Sequence, residues 1–303
     1  MKKNIMLLGL TILLSWAPIY AQQDPQYTQY MYNQNILNPA YAGSRGGLSI
    51  GLLARSQWIG VPGAPETLTL SIESPIGKNI GIGLSVIHDE IGPAKEDNVY
   101  ADFSYTIHLS EKSKLALGLK AGFTFLNVRP LKGQINTNDP TLSESVQLNT
   151  PNFGAGLFYY TEKAYIGVAT FNLLEKENLS KEEETGTETT DKKHYFLTAG
   201  YVFQVSEGIK LKPSTMLKAT QGTPLSVDIS LNMLIHNTFE FGISHRLDDS
   251  VSAMIGYNIS NALRIGYAYD YTLSNFGAFN SGSHEVMLLF DLSRNKLKNP
   301  RFF

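Results

Sequence analysis

The stretch ALRIGYAYDY, Ala262–Tyr271, decides the fold. Leu263, Ile265, Tyr267, Tyr269 and Tyr271 alternate with Arg264, Gly266, Ala268 and Asp270. Successive side chains of an extended strand point to opposite faces, so this segment has one apolar face and one small or polar face. The same period of two runs through Leu225–Met233. It recurs where Phe239, Phe241 and Ile243 alternate with Glu240, Gly242 and Ser244.

Working outward, the chain divides into fourteen such segments: 46–56, 67–75, 79–88, 98–109, 114–128, 152–160, 164–172, 194–205, 209–218, 224–235, 238–246, 251–258, 262–272 and 283–293. Most match the roughly 9–11 residues of a tilted strand crossing a bilayer, not the roughly 5–6 of a soluble strand. Connections alternate in length. Short turns at 76–78, 110–113, 161–163, 206–208, 236–237 and 259–261 interleave with longer loops at 57–66, 89–97, 129–151, 173–193 and 273–282. Two members of the second set, 219–223 and 247–250, are short. Short inner turns and long outer loops mark an outer-membrane barrel. The reading is all-β: a transmembrane antiparallel β-barrel of about 14 strands over 46–293. An even strand count puts both termini in the periplasm.

Composition agrees. Of 303 residues, 17% are charged, against about 25% in an ordinary soluble domain. No internal stretch reaches the roughly 18 apolar residues of a spanning helix. A net charge of −2 offers no basic excess to neutralise phosphates, which argues against nucleic acid. There is no cysteine, which removes disulfides, thiolate metal sites, cysteine nucleophiles and lipoprotein anchoring.

Residues 1–21 read as a signal peptide, with Lys2 and Lys3 before the apolar core Ile5–Leu14 and cleavage after Ala21. Residues 22–45, opening QQDPQYTQYMYNQNILNPAYAG, alternate little and form an N-terminal periplasmic or plug segment. A disordered lead-in and a segment folded under or into the barrel are both open, and the four closely spaced tyrosines favour an ordered cap. Residues 175–193 form a charged solvated loop, and 294–303 a periplasmic tail.

The polar face is rich in Gly, Ser, Thr and Ala, with charges of both signs that include Lys120 and Glu240. Arg55, Asp102, Asp228, Arg246, Arg264 and Asp270 are read as a lumen charge network that orders a plug, since a buried unpaired charge is expensive. Outside, the loop Trp58–Pro62 is apolar. Trp58, Ile59, Val61 and Pro62 are candidates for partner binding, because loops on a rigid barrel carry function and apolar patches mark interfaces. Trp58 reads equally as a girdle aromatic at the outer interface.

The histidines at 88, 108, 194, 236, 245 and 284 have no metal-ligand spacing. No G-x-S-x-G elbow or P-loop occurs. Ser283 beside His284 is the one adjacent catalytic candidate, so no enzyme activity, cofactor or metal is expected.

Specific motifs carry a resemblance. NPAYAG at Asn38–Gly43, Arg55, Trp58, Gly60 and GAPET at Gly63–Thr67 are followed by FGAGLFYY (153–160) and LKPSTMLK (211–218). GYAYDYTLS (266–274), SGSHE (281–285) and a terminal PRFF complete the series. In this order they resemble the PorP/SprF family of type IX secretion membrane proteins. The resemblance implies an outer-membrane barrel in a Bacteroidota-type cell, working in type IX secretion and often in gliding motility. The implied partners, besides outer-membrane lipid, are a secreted adhesin or enzyme with a type B C-terminal domain, or the ring proteins of the machinery. The alternative is a passive porin or small-solute transporter, which needs a lumen that 22–43 does not fill.

Overall fold

The computed structural model describes residues 25–129, 145–173, 193–220 and 222–292. The expected leader 1–21, the charged stretch up to residue 192 and the tail 294–303 lie outside the described residues.

Alternation produces strands almost everywhere it occurs. They are β1 (Leu48–Ser56), β2 (Glu66–Ile76), β3 (Ile80–Ile91), β4 (Ala94–His108) and β5 (Ser113–Val128). Next come β6 (Val146–Thr161), β7 (Ala164–Phe171), β8 (His194–Tyr201), β9 (Phe203–Ser206) and β10 (Ile209–Thr220). β11 (Ser226–Ile235), β12 (Phe239–Arg246), β13 (Ser250–Asn258), β14 (Leu263–Thr272) and β15 (Ser283–Leu292) complete the wall. All pairings are antiparallel, and β1 closes the cylinder on β15, from Leu48 opposite Leu292 to Ser56 opposite His284. β8 and β9 both pair with β10 and make one stave, so fifteen segments form a closed barrel of fourteen staves.

The wall is inside-out relative to a soluble protein. In β12, Phe239, Phe241, Ile243 and His245 are exposed while Glu240, Gly242, Ser244 and Arg246 are buried. Closure satisfies the backbone groups that an open sheet would strand in hydrocarbon. Among the described residues no helix is long and apolar enough to cross a membrane.

Three local departures from the sequence reading have physical causes. The expected loop 89–97 is a hairpin: β3 and β4 continue to a tight turn at Gly92 and Pro93, held by the Lys95–Glu90 pair at 2.5 Å and the His88–Asp97 contact at 2.6 Å. β6 starts at Val146, before the expected 152, because β5 extends far enough to pair with it, Val128 opposite Val146. The expected strand 194–205 is interrupted at Val202. The gap faces the Lys212–Pro213 part of β10, and a proline lacks the N–H a ladder needs.

The 22–45 segment is neither lead-in nor under-cap where it is described. From Tyr27 to Ala42 every residue is buried inside the barrel. It is built from a 3-10 turn (Tyr30–Tyr32), a short helix (Gln34–Leu37) and a second 3-10 turn (Pro39–Tyr41) whose N-cap Asn38 accepts from Ala40 N at 2.9 Å. Tyr30, Met31 and Leu37 pack against Leu53 and the methionines 216, 254 and 287 of the wall, whose unbranched side chains suit an irregular surface. Wall glycines give the plug its seat. A Cβ at Gly81 would stand 2.0 Å from Ala42 O, and one at Gly118 2.1 Å from Ala40 N. A Cβ at Gly156 would stand 2.1 Å from the Asn38 side-chain oxygen. Gly43, at φ +74°, turns the chain out of the plug, with Glu73 accepting its N–H at 2.8 Å.

Candidate functional site: plugged lumen and outer rim

The six lumen charges expected from the sequence all face inward and are buried. Their ion pairs fall into four groups. Arg55 pairs with Asp270 at 2.6 Å and with Glu285 at 3.2 Å. Arg246 pairs with Asp228 at 2.9 Å, Arg264 with Glu240, and Lys120 with Asp102 at 2.9 Å.

Each group also holds a different residue of the plug. Arg55 donates to Thr28 Oγ1 at 3.0 Å, and Arg246 to Gln26 Oε1 at 2.5 Å. Glu240 accepts from the Tyr32 hydroxyl, and Asp102 accepts from Asn35 Nδ2 at 3.3 Å. Glu285 takes two plug backbone N–H groups, Thr28 at 2.9 Å and Gln29 at 2.8 Å. The division of labour follows from composition. The plug from Pro25 to Ser44 carries no charged side chain, so the wall supplies the ions and the plug supplies donors and acceptors that satisfy them. The buried Tyr30 hydroxyl lies 3.0 Å from Ser230 Oγ of the wall.

Glu285, Glu73 and Arg45 were not among the expected sites. Arg45 pairs with Asp291 at 2.6 Å and with Glu73 at 3.3 Å where the chain enters β1. The signal for Glu285 was present: Ser283, Glu285, Met287 and Leu289 share the buried face of β15. Because Met287 and Leu289 fill the plug side with apolar groups, both faces of β15 read as apolar.

At the outer rim, the loop 57–65 is tightly folded. Trp58 sits at φ +46° and Gly60 at +95°. Ile59 N donates to Gly282 O and Ser281 N to Ile59 O, both at 2.9 Å, while Gly92 N donates to Gly63 O at 3.0 Å. The loop thus bridges the 273–282 connection and the β3–β4 hairpin, over a cleft of about 340 Å³ lined by Trp58, Val61, Glu66 and Glu90 among others. Trp58 is half-buried, its ring edge-on to Phe276 with centroids 4.8 Å apart. Ile59 and Pro62 are exposed and Val61 is half-buried. Phe279, which sequence reasoning passed over as loop, is 73% exposed and lies 6.3 Å from Phe276. Together these side chains make an apolar knob on a fixed backbone.

Ser283 and His284 point to opposite faces of β15. Ser283 is buried and its Oγ accepts from Trp58 N, while His284 Nδ1 meets the Tyr267 hydroxyl at 2.6 Å. They form no nucleophile–base pair. Among the described residues no three side chains are grouped to hold a metal.

Among solved structures, the barrel is similar to the Ralstonia pickettii toluene transporter TbuX, at 12% identity over 86% of this chain and 92% of that one, with a TM-score of 0.52. It is also similar to the P. putida toluene transporter TodX, at 10% identity over 85% and 93%, with a TM-score of 0.49. At such identities the likeness to TbuX shows the fold, an outer-membrane type of barrel. No curated protein matches the chain. The family model for type IX secretion system membrane protein PorP/SprF matches residues 19–290, nearly the whole barrel with its plug, and the chain belongs to that family of outer-membrane proteins.

Proposed function

We propose that this barrel is a docking platform of type IX secretion. It holds a secreted adhesin or enzyme with a type B C-terminal domain at the cell surface or helps its export, in support of gliding in a Bacteroidota-type cell. The observation that carries the reading is the combination of a filled lumen with an ordered apolar rim. A barrel packed with its own chain from Tyr27 to Ala42 offers its outer face rather than its bore. That face carries Ile59, Pro62, Phe276 and Phe279 on rigid loops, as an interface anchor requires. Ring proteins of the machinery would meet the opposite, periplasmic turns.

The passive-channel reading needs a clear lumen, which the plug occupies. Crosslinked recovery of the tagged protein from native outer membranes tests the proposal. One large secreted protein with a type B C-terminal domain in the eluate supports docking. Ring lipoproteins without such a cargo would make the chain part of the machinery and remove the basis of rim docking.

A further inference from the structure

We infer that the plug runs from the outer mouth of the barrel inwards, so that its first described residues, Pro25 and Gln26, open to the cell surface and not to the periplasm. The inference does not depend on cargo docking.

Height in the barrel can be read from the strand ends. The short turns close the inner end, so β1 begins there at Leu48 and β12 reaches the outer end at Arg246. Gln26 bonds Arg246, the outermost residue of β12. Thr28 bonds Asp270 and Glu285, each within two residues of the outer end of its strand. Tyr32 has descended to Glu240, next to the inner end of β12. Gly43 and Arg45 reach Glu73 and Asp291, close to the inner ends of β2 and β15. The partners of Gln26, Thr28, Tyr32, Gly43 and Arg45 thus run from the outer to the inner end as the residue number rises, while Asn33 and Asn35 bond Thr69 and Asp102 nearer the middle of β2 and β4.

A return path is closed. Arg246 to Glu240 alone spans about 20 Å of strand, and the lumen at that level is packed with the plug itself. An even strand count locates the inner start of β1 and leaves open the direction of the segment that precedes it in the bore; the contacts of Gln26 to Arg45 carry that direction. The displayed end adjoins the rim. Arg55 touches Gln57 Oε1 at 3.4 Å and Thr28 Oγ1 at 3.0 Å, joining loop 57–65 to the outer tip of the plug.

The absence of native cysteine makes the test clean. In intact cells, Gln26→Cys should react with a membrane-impermeant maleimide as Phe279→Cys does, whereas Ser44→Cys and Lys78→Cys should react only after the outer membrane is permeabilised. Heat-modifiable migration of each variant confirms a folded barrel. An epitope placed ahead of Pro25 should bind antibody on intact cells. If Gln26→Cys and the epitope are reached only after permeabilisation, alongside Ser44→Cys, the polarity is wrong.

Discussion

The phenol of Tyr32 in the plug donates to the carboxylate of Glu240 in the wall. The same ring lies 4.0 Å from the Arg264 guanidinium carbon and 4.6 Å from Lys212 Nζ. One uncharged side chain thus covers two buried cations and caps one buried anion. In a low-dielectric bore such contacts are strong when complete and costly when one partner is missing.

Glu240→Gln should therefore destabilise more than Asp270→Asn. Removing one partner of a buried pair costs about 3–5 kcal/mol, and Glu240 holds not only Arg264 but also the Tyr32 hydroxyl and the Asn232 amide. Arg55, by contrast, keeps Glu285 when Asp270 is neutralised. The temperature at which the folded band converts to the unfolded one on semi-native gels should fall further for Glu240→Gln. Equal shifts would mean the two pairs are interchangeable.

Gly118→Val should unseat the second turn of the plug. Its Cβ alone would overlap Ala40 N at 2.1 Å, so the plug must move or the barrel must strain. Overpacking of this kind costs roughly 1–3 kcal/mol. Faster protease cleavage within 25–45 than in the wild-type protein is the expected readout.

Deleting residues 25–44 should convert a silent barrel into a conducting one. Among the described residues the barrel that remains buries seven carboxylates (Glu73, Asp89, Asp102, Asp228, Glu240, Asp270, Glu285) against six bases (Arg45, Arg55, Lys120, Lys212, Arg246, Arg264). Planar-bilayer recordings should show cation preference in the deletion and little conductance in the full chain. A full chain that conducts as well as the deletion would restore the passive-channel reading.

Trp58→Ala should weaken partner retention more than its own lost contact area suggests, because the ring braces Phe276 from 4.8 Å. Phe279→Ser should weaken retention without touching barrel assembly, since that ring is mostly solvent-exposed. Cargo recovered per folded barrel is the quantity to compare. Retention at wild-type level in both variants would move the docking site away from this rim.

The barrel is legible in the sequence itself. Lipid is a uniform apolar solvent, so each strand writes its orientation locally as a period of two. Leu263 to Tyr271 shows which side chains face out without reference to any neighbour. The inward charges Arg55, Asp102, Asp228, Arg246, Arg264 and Asp270 were legible for the same reason. Their partners were not, because pairing across the bore depends on which strands face each other and on where Thr28, Tyr32 and Asn35 come to rest. The plug's path has no periodic signature, since it is held by glycine-sized gaps at 81, 118 and 156 in strands distant in sequence from Asn38 to Ala42. Local alternation determined the wall. Only tertiary structure decided what fills it and which way that filling runs, because those follow from steric and electrostatic fit between segments far apart in the chain.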